Sequence, residues 1–292
     1  MNKKNTTPTL LKITSLRPFK GHPYKVRDNE EMDALAESIK ENGILTPLIL
    51  RPIENTGEYE IISGHRRLYA AQKAGLAEIP VLIRVLDRDS AAIAVVDSNL
   101  HREHILPSEK AFAYRMKAEA LNHQGKRTDL TLGQVVPKSE DNRTTAEIGA
   151  ATNESYKTVQ RYIRLTYLIP EFLEKMDKGE IAQSVGVELS YLNESRQQDV
   201  LEQCRMNDCT PSYSQAWRMH KAEREGLLTK DVIQFVMSEE KPNQREMVKV
   251  HADRLQDVLP KGMNAQKTED FIIKACEHYR KYLIRQRSRD ER

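Results

Sequence analysis

The residues best suited to chemistry in this sequence lie in the segment Ile62-Ser63-Gly64-His65-Arg66-Arg67. A β-rich run ends there, a glycine follows, and two guanidinium groups come next. Glycine permits a tight turn and lets a ligand approach the backbone closely. A helix opening at this point aims unbonded N–H groups outward and favours an anion. Arginine adds charge and a planar donor fork suited to phosphate. Taken alone, the same residues also read as two surface arginines on an amphipathic helix. No G-x-x-x-x-G-K-[ST] and no G-x-G-x-x-G occurs, so neither a P-loop nor a dinucleotide fold is expected. A second polar cluster runs from Asn99 to His104, and Asn99, Arg102 and Glu103 are placed to share a pocket with Arg66 and Arg67. His101 and His104 lie three apart, but a bare histidine pair is weak evidence for a metal.

A second constellation lies in the middle third. Thr144–Ala151 reads as a short helix with a threonine cap. Thr152-Asn153-Glu154 supplies a turn, and Ser155–Leu165 forms a second helix. Ile148, Val159, Ile163 and Ala151 are the expected small core. This is the pattern of a helix-turn-helix, whose second helix meets base edges in the major groove. Ser155, Lys157, Thr158 and Gln160 then face the bases, with Thr145 and Tyr156 beside them. Arg161 and Arg164 sit further along, where phosphates are expected. An ordinary helical hairpin is the plain alternative.

The elements that must position these residues follow from periodicity. Leu11–Ile13 reads as a strand. Asp28 is expected to cap a helix that carries Met32, Leu35, Ala36 and Ile39 at helical spacing and ends at Asn42-Gly43. Strands are expected at Ile44–Arg51, Tyr59–Ser63 and Ile79–Leu86, with a helix between Gly64 and Gly75. Beyond that point helices dominate, near 89–98, 107–121, 144–151, 155–166, 170–177, 195–207, 212–225 and 229–238. Asn122–Arg143 and Ser238–Asn243 read as linkers. The last fifty residues predict a strand at Met247–Val250 and helices at Ala252–Val258 and Thr268–Arg285. The second of these helices places Phe271, Ala275, Tyr279 and Tyr282 on one stripe, either a dimer face or a core face. Three units are expected: 10–121, 122–238 with the helix-turn-helix at 144–166, and 244–292.

Composition bounds the class. The 292 residues carry 30% charged and 39% hydrophobic side chains, with five Phe and one Trp. That mixture suits several small cores rather than one large one. The net charge of +3 is too small to argue for a nucleic acid, but Ser155–Leu168 holds Lys157, Arg161 and Arg164 and no acid. The tail from Arg280 to Arg292 is also basic, a pattern equally typical of a solvated helix face. Cys204, Cys209 and Cys276 lack disulfide or zinc spacing and read as reduced thiols. No apolar stretch approaches membrane-span length and no signal segment is evident, so a soluble, cytoplasmic protein is expected.

Four segments in order resemble the ParB partition family over about residues 10–240: His22–Arg27 with Leu35–Pro47, Gly64–Arg67, Asn99–Ala111, and the helix-turn-helix running into Thr166. The resemblance implies an α+β protein. A small ParB/sulfiredoxin-like α/β domain would bind nucleotide. An all-α helix-turn-helix domain and a small C-terminal unit, a possible dimerisation unit, would follow. It implies CTP as ligand, with Arg66 and Arg67 holding phosphates. Arg27, Gly64, His65, Asn99, Arg102 and Glu103 would complete the pocket, and Asn99 and Glu103 would serve Mg2+. Two positions depart from the family: His65 and Ser98 stand where it usually has glutamate. A lost carboxylate is a lost magnesium ligand, so slow CTP hydrolysis to CDP and phosphate is left open. The resemblance further implies a homodimer that closes as a clamp on a palindromic, centromere-like duplex, works with a ParA-type ATPase and associates with the nucleoid. A nucleoid-occlusion or transcriptional regulator without CTP turnover is one alternative. A sulfiredoxin- or phosphotransferase-like enzyme is another, disfavoured by the helix-turn-helix and by the lack of an evident reactive cysteine near Arg66-Arg67.

Overall fold

The computed structural model describes residues 7–100, 105–129, 140–239, 259–260 and 265–290. The chain divides into two compact units, 1–239 and 240–292. The first unit begins with a five-stranded mixed sheet in the order β1-β5-β3-β4-β2. The strands are β1 (Thr9–Lys12), β2 (Leu16–Pro18), β3 (Leu48–Pro52), β4 (Tyr59–Ser63) and β5 (Glu78–Ile83). Side chains alternate across a strand, and β4 shows the consequence. Ile61 packs with Met32, Ile39, Ala70 and Ala71 on one face. Ile62 packs with Phe19, Ala91 and Val95 on the other. The first face is covered by α1 (Glu30–Asn42) and α2 (His65–Lys73), the second by α3 (Arg88–Asp97) and part of α4 (Pro107–Asp129).

The helical part continues with α5 (Glu140–Thr152), α6 (Tyr156–Leu165), α7 (Pro170–Asp177), α8 (Gln183–Leu189), α9 (Glu194–Met206), α10 (Tyr213–Arg224) and α11 (Lys230–Ser238). Leu165, Phe172, Leu189, Leu201, Met219 and Ile233 anchor one core there. Helix α4 serves both halves, because Ala113 and Ala120 pack toward the sheet side while Ala111 and Tyr114 enter the helical cores. Residues 10–121 and 122–238, read from the sequence as separate domains, therefore fall within one compact unit, and α4 crosses that boundary.

Several elements differ from the sequence reading. Asn29, not Asp28, caps α1, its Oδ1 accepting from the Met32 N–H at 3.2 Å. Asp28 instead bonds Lys73 at 2.7 Å, which draws its carboxyl below the usual range. Strand β3 starts at Leu48, after Pro47, four residues later than expected. Strand β2 was not anticipated, since three residues carry no readable alternation. The seven-residue α8 was also missed. Helix α4 runs on to Asp129, and α5 begins at Glu140, so the expected 122–143 linker is helical at both ends. The expected elements at 247–250 and 252–258 lie outside the described residues. In the second unit α12 spans Ala265–Asp290.

Strand register sets one buried ion pair. Arg51 lies opposite Glu60, and its Nε and Nη2 reach Glu60 Oε2 at 2.7 and 2.6 Å. Glu60 Oε1 also accepts the Lys20 N–H at 2.9 Å. Their side chains are 14% and 6% exposed, so removing the acid strands a nearly desolvated guanidinium. Glu60→Ala is expected to cost about 3 kcal/mol of unfolding free energy in urea. A loss under about 1 kcal/mol would show the pair to behave like a surface pair.

Candidate functional site

Strand β4 ends at Ser63, and Gly64 turns the chain into α2 with φ 111° and ψ 22°. A Cβ on Gly64 would lie 2.7 Å from Leu48 Cγ and 3.2 Å from Arg67 Nη2. Glycine is therefore required both by conformation and by space. The turn brings the N-terminus of α2, which has no acidic residue in its first turn, against a hollow of about 220 Å³. Gly64, His65, Arg66, Arg67 and Asn99 line it. His22, Tyr24, Lys25, Val26, Ser63 and Ser98 line it too, and no motif in the sequence marked their role. Arg27 is exposed and is not part of that lining. Arg102, Glu103, His101 and His104 lie outside the described residues.

The polar contacts show what holds this hollow open. Arg66 Nη2 bonds Glu31 Oε2 on α1 at 3.1 Å. Arg67 Nη1 donates to the Pro47 carbonyl at 3.1 Å and to the Thr46 carbonyl. Burial draws the Arg67 guanidinium below its ordinary pKa, though arginine remains charged at neutral pH. The His22 and His65 rings lie tilted by 38° with centroids 3.6 Å apart, and His65 Nε2 accepts the Phe19 N–H at 3.5 Å. Asn99 Nδ2 donates to the Val95 carbonyl at 2.8 Å. Lys25, Arg66 and Arg67 thus face a hollow with no carboxylate among its described lining residues. Such a surface can hold an anion of phosphate type. Among the described residues the lining supplies none of the carboxylate oxygens that magnesium favours, and no group of three or more metal-ligating side chains occurs.

The helix-turn-helix forms from α5 and α6. Gly149 permits the tight return, since a Cβ there would lie 2.5 Å from the Glu154 carbonyl oxygen. Asn153 takes a positive φ of 56° in the turn. Ile148 and Val159 are fully buried and pack with Tyr114 and Ile163, as the sequence reading expected, whereas Ala151 is exposed. Ser155 is the α6 cap, its Oγ accepting from the Thr158 N–H at 3.1 Å and lying 2.9 Å from Thr158 Oγ1. Tyr156, Lys157, Gln160 and Arg161 are exposed along α6. Thr145 is buried and lines a hollow of about 310 Å³ between α4, α5 and α6. Arg164 lies against α8 rather than open solvent. Its Nη2 donates to the Ser190 carbonyl at 2.7 Å, and its Cζ stands 4.6 and 4.1 Å from the Tyr167 and Tyr191 rings.

Helix α4 holds the turn from behind. Lys110 Nζ pairs with the Glu154 carboxylate and lies 4.7 Å from the Tyr162 ring centroid. Tyr114 Oη donates to Glu154 Oε2 at 2.9 Å. Burial alone would lower the Lys110 pKa, but the bond to Glu154 and the neighbouring tyrosines leave it raised. Burial, with Glu154 adjacent, pushes the Tyr114 phenol up to about 12.

An α/β domain with a cationic hollow at a helix N-terminus, joined in one unit to a helix-turn-helix, defines a two-module architecture. Residues 1–100 match the family described as ParB N-terminal domain. Over that segment the chain is similar to the ParB family. It is 36% identical over 172 residues to the chromosome-partitioning protein Spo0J of Thermus thermophilus, covering 59% of this chain and 55% of that protein. It is 41% identical over 103 residues to the nucleoid occlusion protein of Geobacillus thermodenitrificans, covering 35% and 36%. The C-terminally truncated ParB of Caulobacter crescentus, solved with CTP-gamma-S, is 25% identical, covering 63% of this chain and 92% of that one, with a TM-score of 0.31. The matched region spans about half the length, or less, of these curated relatives.

The raised Tyr114 pKa carries a pH signature. Its folded value of about 12 exceeds the ordinary 10.0, so its contribution to stability is fully present below about 10 and is lost as pH rises toward 12. An ultraviolet phenolate titration of the folded chain should show a late-ionising step, and Tyr114→Phe should remove it. A titration that Tyr114→Phe leaves unchanged in its late part would contradict the burial argument.

Proposed function

We propose that this chain is a site-specific DNA-binding partition protein whose α2 hollow takes the triphosphate of CTP. The observation that carries the reading is the pairing, in one compact unit, of a hollow lined by Lys25, Arg66 and Arg67 with an exposed basic α6. A hollow of about 220 Å³ suits a phosphate tail rather than a whole nucleotide. The choice of cytidine follows the ParB likeness of residues 64–67 and 99–103. Arg66 and Arg67 would hold phosphates, helped by Lys25 and by the free amides of α2. The reading concerns binding; the described lining supplies no carboxylate to act as a base or to hold magnesium.

On α6, Lys157 and Gln160 would read base edges, and Tyr156 and Arg161 would meet the backbone. Ser155 and Thr158 set the start of the helix, while Arg164 fixes its end against α8. A palindromic target requires two copies of the chain. Phe271, Ala275, Tyr279 and Tyr282 form an apolar stripe on α12 and are the proposed pairing face. Tyr279 is 62% and Tyr282 50% exposed, in keeping with that role. A ParA-type ATPase partner and nucleoid association follow from the same reading. Among the described residues no helix is long and apolar enough to cross a membrane. The likeness to a nucleoid occlusion protein supports a second reading with the same DNA chemistry and other target sites.

Calorimetric titration of the wild type with CTP should release heat, and Arg67→Ala should weaken binding by about tenfold to a hundredfold, as loss of a charged hydrogen bond does. Unchanged affinity in that variant removes the phosphate assignment. On a selected duplex, Lys157→Ala and Gln160→Ala should each cost about 1–3 kcal/mol of discrimination. Arg161→Ala should weaken all duplexes and reduce the salt slope by about one. Operator binding unchanged in all three variants would displace α6 from the groove.

A further inference from the structure

We infer that Cys204 and Cys209 form a dithiol site that small-molecule disulfides oxidise to an intramolecular disulfide. The inference is independent of the nucleotide and DNA readings above. In sequence the two thiols are five apart, a spacing that marks neither a zinc knuckle nor a disulfide framework. The way α9 ends brings them together. Helix α9 runs to Met206, and its C-cap Asn207 donates its N–H to the Gln203 carbonyl at 3.0 Å. Asp208 then takes a positive φ of 44°. That turn folds the chain back, and the Cys209 N–H donates to the Cys204 carbonyl at 3.1 Å. A bond of this span closes a Schellman motif. In that motif the third-last helical residue and the second residue beyond the cap meet side chain to side chain. Here those two positions are both cysteine.

Burial agrees with this pairing. Cys204 is 5% exposed within the helical core, and Cys209 is partly buried and packs against the same core. The main-chain bond between them sets their Cα atoms about as far apart as a disulfide requires, roughly 4.4–6.8 Å. Just beyond, Thr210 Oγ1 donates to the Glu180 carbonyl at 3.3 Å and holds the segment that leaves the motif. The two thiols differ in access, so Cys209 meets a reagent first and Cys204 follows from behind. Cys276, exposed on α12, belongs to the second unit and is a third thiol that the test must set aside.

The chemistry is thiol–disulfide exchange. The Cys209 thiolate attacks one sulfur of a small disulfide such as oxidised glutathione, and one glutathione thiolate leaves. The Cys204 thiolate then attacks Cys209 Sγ in the mixed disulfide, and the second glutathione thiolate leaves. Two protein thiols give up two protons and two electrons, and one glutathione disulfide becomes two thiols. The product is a covalent ring over the end of α9, ahead of the link to α10. A fold that already holds the two sulfurs together favours the oxidised form, and the oxidised form favours the fold by the same factor.

The test uses the full chain carrying Cys276→Ser, equilibrated in glutathione buffers of fixed redox ratio, both natively and in urea. Mass spectrometry of the acid-quenched native chain should show the loss of two hydrogen masses and no glutathionyl adduct. Trypsin cuts after Arg205, between the two cysteines, so the oxidised product should yield two peptides that separate only on reduction. The equilibrium constant for closure should be at least about tenfold higher in the native chain than in urea. Cys204→Ala in the same background should leave a stable glutathionyl adduct on Cys209. If thermal melts show that Cys204→Ala fails to fold, the native-to-urea ratio decides. A persistent glutathionyl adduct on Cys209 with Cys204 intact, no reaction in the native chain, or closure no more favourable natively than in urea overturns the inference.

Discussion

Gly64 adopts a left-handed conformation at a point where Leu48 and Arg67 leave no room for a methyl group. Everything that faces the α2 hollow depends on that turn. It ends β4, it starts α2, and it sets the start of α2 against the hollow that Lys25 and His65 also line. Arg67 folds back beside the turn and is anchored to two carbonyls ahead of β3, so the cation is fixed before any ligand arrives. Pre-fixed donors lose less freedom on binding, which is why such a hollow can favour an anion despite its small size.

The same logic organises the helical half. The α5–α6 turn closes tightly enough to need glycine at 149 and a positive φ at Asn153. Behind it stands buried Tyr114 with partly buried Tyr162, Lys110 and Glu154, joined by an ion pair, a hydrogen bond and ring contacts. At the far end of α6, Arg164 is held between Tyr167 and Tyr191 and against Ser190. Helix α6 is therefore restrained at both ends, while its middle face is left exposed. A net charge of +3 conceals this arrangement, because the positive groups matter by position rather than by sum.

Much of this was legible in the sequence where local chemistry dominates. The Gly64 turn, the helix that follows, and the Ile148 and Val159 core follow from residue type and spacing. So do most of the long helices, with boundaries off by a few residues. What could not be read depended on tertiary contact. Strand β2 exists because Leu16, Arg17 and Pro18 pair in parallel with β4, not because three residues prefer extension. His22 and Lys25 reach the hollow through the path of a loop that has no periodicity. Thr145 and Arg164 looked like surface donors, yet neighbours from α4 and α8 enclose the first and engage the second. Fine assignment of a site needs the partner elements, and one helix in sequence does not name them.

The most direct test of the account is a crystal structure of the full chain grown with CTP. The account predicts phosphate density against the first amides of α2, within hydrogen-bond reach of Arg66 and Arg67. Density for the triphosphate elsewhere on the molecule, with the α2 hollow filled by solvent, would contradict it.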